Sequence, residues 1–519
     1  MSIRFWSQKR KNAEKPQESR ETLPADRSAK RPETFDERLE WVRQELVHCS
    51  DLIIHTFHAG ADRRCALVFF RGMIDKNTVQ DELLRDLLSL EAEDARRFNE
   101  QLFEQKRLSV TDLSVVTDMD QGLAAVLDGH ALLLVDGDPR MLDIPCSSIE
   151  KRAIEEAPNE SVIRGPRESF IEDLDVNIRL LRKRLKTPSL KLESMDIGTQ
   201  TKTKVVIAYM QGICKPELLE EVKKRLSGIE IDGVIGSSYL EEFIKDSPFS
   251  PFPQMQYTER PDVAAASLLE GRVAILVDGT PIVLMAPVTL FMLMQAAEDY
   301  FQHYVAATWI RWIRYVFLIA SLTLPSTYIA ITSFHPEIIP SSLLISIAAS
   351  REIVPFPALV EAFIMEIAFE ALREATVRIP KAIGQSVSII GALIIGTAAV
   401  QAGIVSAFMV IIVSLTGIAS FISPHFDLGL AFRLLRFPIM ILSGVFGLFG
   451  LACGLILIYI HLINLRSFGT LYLSPLTPLI IRDLKDTFIR VPWPLMNKRP
   501  AFAGANRRRQ NVVQEDEGD

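Results

Sequence analysis

Apolar runs long enough to cross a membrane follow one another between Trp309 and Leu465, and they set the class of this chain. A hydrocarbon core of ~30 Å needs about 20 residues of helix. Up to about residue 305, by contrast, charged side chains are frequent and apolar runs are short. The sequence therefore predicts a soluble region joined to an all-α polytopic membrane domain. The candidate spans are, roughly, 313–334, 383–404, 406–423 and 437–464.

A duplication organises the soluble region. The segment CALVFFRGMIDKNTVQDELLRDLL (65–88) resembles KVVIAYMQGICKPELLEEVKKRL (204–226), since each has a β-rich run, a glycine and an amphipathic helix. The segment QGLAAVLDGHALLLVDGDPRML (121–142) likewise matches AAASLLEGRVAILVDGTPIVLM (264–285), with a helix, a turn glycine, a buried strand and an Asp-Gly turn. The fold class is therefore an α/β soluble region of two similar tandem subdomains, each a small sheet covered by helices, followed by the membrane domain.

Composition divides the rest of the chain. The first residues are polar and contain several prolines, so we expect them to be disordered. The segment GPRESFIEDLDVNIRLLRKRLKTPSL (165–190) predicts an amphipathic linker helix. The predicted parts are a disordered tail at 1–35, α/β subdomain 1 at 36–150, a linker with the amphipathic helix at 151–203, α/β subdomain 2 at 204–295, the membrane domain at 305–465 and a cytoplasmic C-terminal tail at 466–519.

Motifs for catalysis are absent from the sequence. It contains no GxxxxGK[ST] loop, no GxGxxG after a strand, no HExxH and no GxSxG. The five cysteines are scattered without a CxxC pair, which predicts neither a disulfide framework nor a zinc site. The basic cluster at 506–510 is followed at once by acidic residues, as in a solvated tail rather than a nucleic-acid patch. We therefore expect no enzyme, no cofactor, no metal site and no nucleic-acid partner.

Carboxylates interrupt the apolar segment FPALVEAFIMEIAFEALREATVRIPK at 356–381: Glu361, Glu366, Glu370 and Glu374. An ionised carboxylate that faces lipid costs about 2.5 to 3.5 kcal/mol at mid-depth. Two interpretations stay open. In one, the helix lies near the cytoplasmic interface and its carboxylates pair with Arg373, Arg378 or a neighbouring segment. In the other, they line a water-filled path and attract cations. The candidate residues of such an ion pathway are Glu361, Glu366 and Glu370.

The positions of Lys and Arg indicate on which side of the membrane each loop lies, because these residues concentrate in cytoplasmic loops. If the soluble region is cytoplasmic, a single final span would put the basic C-terminal residues outside, against this rule. One element must therefore be re-entrant or doubled, and we expect four or five spans plus a re-entrant or interfacial element. The two candidates are SSLLISIAAS (341–350) and the long last stretch, whose candidate helix-packing residues are Gly444, Gly447, Gly450 and Gly454.

Longer segments resemble a known family. SREIVPFPALVEAFIMEIAFEALREATVRIPK, RLLRFPIMILSGVFGLFGLACG, LRSFGTLYLSPLTPLIIRDLKDT and RVPWPLMNKRP resemble the A subunits of GerA-type nutrient germinant receptors of endospore-forming bacteria. The resemblance extends from about residue 40 to 503. It implies a spore inner-membrane protein, with its soluble region and C-terminal tail in the cytoplasm, that works with a permease-like B subunit, which binds the nutrient, and a lipoprotein C subunit.

The same resemblance implies a homo-oligomer that conducts monovalent cations and starts germination, and it favours the ion-path interpretation of Glu361, Glu366 and Glu370. A non-conducting membrane scaffold or signalling subunit is the alternative in another class. A secondary transporter is disfavoured, since no inverted repeat is visible among so few spans. The related spore protein encoded with the dipicolinate-channel genes is a further alternative, but RIPKAIGQ and LYLSPLTP look more like the receptor subunits.

Overall fold

A computed structural model of the chain describes most of its residues. The described residues are 32–60, 62–75, 78–90, 94–110, 112–146, 160, 162–378, 396–500, 502–503 and 509. Almost all of the predicted disordered tail at 1–35 and most of the predicted span at 383–404 lie outside them.

A five-stranded antiparallel sheet forms the first subdomain. Its strands are β1 Leu52–Ala59, β2 Arg63–Phe70, β3 Ser114–Val116, β4 Ala131–Val135 and β5 Met141–Ile144, in the order β1-β2-β4-β5-β3. Strand β4 is buried along its whole length, as its uninterrupted apolar sequence predicts. The covering helices are α1 Phe35–Glu45, α2 Arg85–Ser89, α3 Ala95–Asn99 and α4 Met119–Leu127, with π-helical turns at Thr78–Leu84 and Glu100–Glu104.

The second subdomain repeats this architecture. Its strands are β6 Leu190–Ile197, β7 Thr203–Met210, β8 Gln256–Thr258, β9 Val273–Val277 and β10 Val283–Ala286, in the order β6-β7-β9-β10-β8, again all antiparallel. The helices are α5 Leu174–Arg184, α6 Pro216–Ser227, α7 Ser237–Ile244 and α8 Pro261–Leu269. The order of the strands is the same in both sheets, so the predicted tandem pair is confirmed.

Strand β6 lies within the range that the sequence assigned to the linker. It is an edge strand, and its sequence LKLESMDI alternates polar with apolar residues in its second half. One-sided burial of this kind gives no continuous apolar run. A continuous apolar run therefore does not mark β6 in the sequence. The sheet of the second subdomain begins at Leu190 rather than near 204.

The two subdomains are joined by a buried ion pair. Arg182 of α5 donates from Nε and Nη2 to the carboxylate of Asp51, at 2.5 and 2.8 Å, and its guanidinium lies 3.9 Å from the ring centre of Phe70. Cys49 forms an isolated bridge with Leu192 of β6. The predicted linker helix thus holds the two sheets together through its arginine.

The helices that follow the second sheet include α9 Leu290–Leu293, α10 Glu298–Phe301, α11 Tyr304–Phe334, α12 Ser341–Arg351, α13 Ala358–Arg378, α14 Ala407–Ser420 and α15 Phe426–Asn464. Residues 396–401 are helical as well. A short 3-10 turn, Pro336–Ile338, connects α11 to α12. Within the described ranges, α11 and α15 are long and apolar enough to cross a membrane; α14 is apolar but has only 14 residues.

Helix α15 bends back on itself at Gly447, whose φ and ψ are 61° and −141°. Phe252 shows the result, because its ring lies 5.7 Å from that of Phe432 and 5.9 Å from that of His461. Those two residues would be about 43 Å apart along one continuous helix. The helix is therefore a hairpin with an outgoing arm (426–446) and a returning arm (448–464). Of the two candidates for a doubled element, the long last stretch is the one that turns back on itself.

The chain after the hairpin folds back onto the soluble region. Strands β11 Arg466–Ser467 and β12 Thr470–Leu471 form a short ribbon, and 3-10 turns follow at Asp483–Asp486 and Trp493–Leu495. Leu290 donates its backbone N–H to the carbonyl of Tyr472 at 2.9 Å, and Trp312 Nε1 donates to the carbonyl of Phe488 at 2.8 Å. Much of the predicted C-terminal tail is thus a folded layer between subdomain 2 and α11.

Candidate functional site

Helix α13 carries the predicted carboxylates and lies against α11, α14 and α15. Near its start, the side chain of Leu359 fills the space next to Gly444, close to the bend of α15. Near its end, Arg373 donates to the hydroxyl of Ser420, the last residue of α14, at 2.9 Å. The bend is the end of the hairpin distant from the soluble region, so α13 runs back toward that region.

Glu361 lies at the distant end and is completely buried. Its Oε2 accepts the backbone N–H of Ser406 at 3.0 Å, and its Oε1 lies 3.3 Å from Nε of Arg351. Ser406 is the N-cap of α14, and its hydroxyl accepts the backbone N–H of Met409. The carboxylate thus neutralises the last residue of α12 and satisfies a free N–H at the start of α14.

Glu366 lies one to two turns further along and is 2% exposed. Its Oε2 forms an ion pair with Nη1 of Arg436 on the outgoing arm of α15. Arg436 also donates from Nε to the carbonyl of Ser321 on α11, at 2.7 Å. Three helices therefore meet at one buried charge pair. Within the described residues, Oε1 of Glu366 and Nη2 of Arg436 have no hydrogen-bond partner.

Glu370 lies closest to the soluble region of the three candidates, and a third of its side chain is exposed. Its Oε1 lies 3.1 Å from Nη1 of Arg373, and its Oε2 lies 3.4 Å from Nη1 of Arg433 on the outgoing arm. Arg433 also lies over the ring of Phe426, 5.5 Å from its centre. Glu374, one turn beyond, is exposed.

The three candidates thus form a ladder along α13 in which every carboxylate has an arginine partner. We call this set the Glu–Arg ladder: Glu361 with Arg351, Glu366 with Arg436, and Glu370 with Arg373 and Arg433. This pairing fits the first interpretation of the carboxylates, and the ion pathway stays a prediction.

Sequence reasoning named Arg373 as a partner but missed Arg351, Arg433 and Arg436. A signal was present for two of them. Arg433 and Arg436 are three residues apart, and Glu366 and Glu370 are four apart, so each pair lies on one face of its helix. Which faces meet depends on tertiary packing, which periodicity does not give. The side chain of Arg378 lies outside the described residues.

The candidate glycines occupy close contacts, but the bend prevents them from forming one continuous face. A Cβ on Gly444 would lie 2.7 Å from the side chain of Leu359, and one on Gly447 would lie 3.0 Å from Phe334. A Cβ on Gly450 would overlap the carbonyl of Leu442 on the outgoing arm, and one on Gly454 would lie 3.3 Å from Ile439. The last two glycines let the arms of the hairpin approach each other.

The comparisons with known proteins decide the family. Residues 40–502 match the family described as Bacillus/Clostridium GerA spore germination protein. The chain belongs to this family. It is 48% identical over 471 residues to the uncharacterized membrane protein YfkQ of Bacillus subtilis, covering 91% of each chain. It is 45% identical over 460 residues to spore germination protein KA of the same organism, covering 88% of this chain and 84% of that one.

A solved structure also matches, the N-terminal domain of the A subunit of the Bacillus megaterium spore germinant receptor GerK3. The identity is 33%, the TM-score is 0.38, and the match covers 49% of this chain and 94% of that one. By its family the chain is a spore germination receptor A subunit, and its helices α11 and α15 are candidate membrane spans. Within the described residues, no group of three or more His, Cys, Asp or Glu side chains is arranged to hold a metal ion.

Proposed function

We propose that this A subunit converts nutrient binding into the release of monovalent cations across the spore inner membrane. Its partners in this proposal are a permease-like B subunit, which binds the nutrient, and a lipoprotein C subunit. The soluble region and the C-terminal segment face the cytoplasm. Several copies assemble into a closed ring, and α13 controls a cation path through the assembly.

The Glu–Arg ladder is the observation that carries this proposal. Replacing a buried ion pair by apolar residues of similar volume is often neutral or stabilising, so such pairs are weak evidence of a purely stabilising role. Here three paired carboxylates, two of them buried, follow one helix, each with an arginine from another element or from the next turn. Charges that exchange partners allow a helix such as α13 to take two alternative positions against its neighbours.

The spacing of the charges supports a specific movement. Because Arg433 and Arg436 lie on the outgoing arm about one turn apart, a shift of α13 by one turn, about 5.4 Å, moves a glutamate from one arginine to the other. Such a shift leaves one carboxylate without an arginine. An unpaired carboxylate among membrane helices attracts a cation, and Oε1 of Glu366 has no hydrogen-bond partner in the described residues to begin with.

A non-conducting scaffold or signalling subunit is the second candidate. It is favoured by the burial of Glu361 and Glu366, which are 0% and 2% exposed within a single chain. In that case the ladder only fixes the packing of α13 against α15, and the cations leave through another subunit.

The test uses spores that carry the chain with its partner subunits. The single variant Glu366→Gln leaves Arg436 as an unpaired buried charge, and such a loss costs about 3–5 kcal/mol, so we expect poor assembly. The double variant Glu366→Gln with Arg436→Gln removes both charges and restores assembly. If the carboxylate serves the cation path, nutrient-triggered potassium release in the double variant stays well below that of the unmodified chain.

The matched control neutralises an exposed pair in the soluble region, Glu40→Gln with Arg43→Gln, whose side chains are more than half exposed. Potassium release, recorded with an ion-selective electrode after a defined nutrient mixture, should be normal for it. Normal release from the assembled ladder double variant would reject the path at Glu366 and favour the scaffold.

A further inference from the structure

Three aromatic side chains of subdomain 2, on α7 and on the loop that follows it, are exposed. Tyr239 is 42% exposed, Phe243 is 55% exposed and Phe249 is completely exposed. Tyr239 and Phe243 are four residues apart, so they share one face of α7, whereas Leu240 and Ile244 on the other face are buried in the core of the subdomain. We call the three exposed rings the aromatic patch.

The loop after α7 is attached to the base of the α15 hairpin. Asp246 accepts the backbone N–H of Phe468, just past the returning arm, at 2.6 Å. The hydroxyl of Ser250 and Nε2 of His461 share a hydrogen bond at 2.9 Å. Phe252 packs between the two arms. The loop is thus fixed at the base of the hairpin, with Phe249 between these anchor points.

Helix α7 itself lies beside the start of the outgoing arm. The pKa of Glu241 is raised to about 7 by burial and by the nearby charge of Asp427, in the first turn of α15. The arms present exposed apolar side chains at the same level, among them Phe426 at 61% and Ile460 at 50%. Phe249, between the two anchor points, therefore lies beside the exposed apolar side chains at the base of the hairpin. Tyr239 and Phe243 lie on the side of α7 turned away from Glu241.

The duplication supplies an internal comparison. Subdomain 1 has the same sheet order as subdomain 2. Among its described residues, no Phe, Tyr or Trp side chain is exposed, and Phe98 and Phe103 of the corresponding segment are 0% and 4% exposed. Exposure of aromatic rings is thus a property of the copy that lies next to the membrane helices.

We propose that the aromatic patch inserts into the headgroup layer of the cytoplasmic leaflet and anchors subdomain 2 to the lipid surface. Aromatic rings are enriched at this depth of a bilayer, where an apolar face meets lipid and the flanking polar groups stay in water. Trp309 and Trp312, near the start of α11, are 62% and 48% exposed and mark the same level on another helix. This proposal does not depend on cation conduction.

The test places a photoreactive p-benzoylphenylalanine at position 249 of the full-length chain. The protein is reconstituted alone into phosphatidylglycerol and phosphatidylethanolamine vesicles that contain a radiolabelled phospholipid, and it is then irradiated. Because Phe249 is fully exposed, the substitution removes no packing, and a single symmetric peak in size-exclusion chromatography confirms folding. The matched control carries the same probe at Leu88 of subdomain 1, which is 60% exposed.

We expect a phospholipid adduct at position 249 that is severalfold more abundant than at position 88. A chain-to-chain adduct at 249 would show that a second copy covers the patch and would overturn the proposal. Equal, low lipid labelling at both positions would overturn it as well. A second probe at position 243 should give the same lipid adduct if α7 lies along the surface.

Discussion

At the scale of single residues, Asp299 shows how one carboxylate fixes the joint between the soluble region and the first membrane helix. It is 2% exposed, and its two oxygens lie 2.7 Å from Nη2 and 2.8 Å from Nη1 of Arg314. Its Oδ2 also lies 3.2 Å from Nη2 of Arg311, which is completely buried. Arg311 reaches the backbone of Asp486 in the C-terminal layer as well. The carboxylate of Asp299 therefore pairs with two arginines of α11, and one of these arginines also binds the C-terminal layer.

Replacing Asp299 by Asn should destabilise the protein strongly. Removing one partner of a buried ion pair costs about 3–5 kcal/mol, and here the change leaves Arg314 without its carboxylate. We expect a clear drop in the midpoint of thermal unfolding in detergent, recorded by intrinsic tryptophan fluorescence. Glu40→Gln is the control, because an exposed surface charge contributes no more than about 0.5 kcal/mol. Equal midpoints for the two variants would contradict this role of Asp299.

At the scale of elements, the bend of α15 depends on glycine at two positions. Gly447 has a positive φ, which residues other than glycine rarely adopt. A Cβ on Gly450 would overlap the backbone of Leu442. Glycine at 447 thus permits the turn, and glycine at 450 permits the close approach of the two arms.

Gly450→Ala should therefore weaken the hairpin, whereas the same change at Gly417 should not. Forcing a methyl group into a filled contact costs about 1–3 kcal/mol. A Cβ on Gly417 of α14 meets no atom within 4 Å, and alanine favours a helix over glycine by about 1 kcal/mol. Thermal midpoints of the two variants in the same detergent give the comparison. A Gly450→Ala chain as stable as Gly417→Ala would mean that the arms are not in close contact.

The sequence predicted the soluble elements well because their signals are local. Turn glycines, Asp-Gly pairs and a fully apolar β4 and β9 fix the duplication without any tertiary information. The bend was not predictable in the same way. On both sides of the bend, from 437 to 460, the arms are apolar apart from one serine, so neither hydropathy nor periodicity changes at Gly447. Only the charge rule indicated a doubled element, and it left two candidates.

The candidate site was predicted in part, for a related reason. Four carboxylates in an apolar helix are visible in any sequence, so α13 was found. The partners come from residues 10, 63 and 70 positions away, as with Arg351, Arg433 and Arg436. Their choice depends on how three helices pack, and the energy of a buried pair depends on that geometry. A single sequence therefore locates the charges without saying what neutralises them.

At the scale of the whole molecule, the hairpin reconciles the topology with the charge rule. Helix α11 leads away from the soluble region and ends near Gly447, since Phe334 lies next to that residue. The returning arm brings the chain back, and the C-terminal layer packs against subdomain 2 and α11. The basic residues after 465 thus lie on the same side as the soluble region, as the positive-inside rule expects.

This topology makes a prediction for single cysteines introduced at Ser238, Glu337 and Lys498, all of which are exposed. Of the native cysteines, four are buried and Cys453 is partly exposed, so the background variant carries Cys453→Ser. In intact protoplasts with the soluble region inside, a membrane-impermeant maleimide should label position 337 only. After permeabilisation it should label all three.

The decisive comparison is between positions 498 and 238. With a hairpin they lie on one side and are labelled together, whatever the number of spans between α13 and α14. With a single final span they lie on opposite sides, so position 498 would be labelled with position 337 in intact cells. That result would refute the bend at Gly447, and it would also separate the C-terminal layer from subdomain 2, which Tyr472 and Leu290 join in this structure.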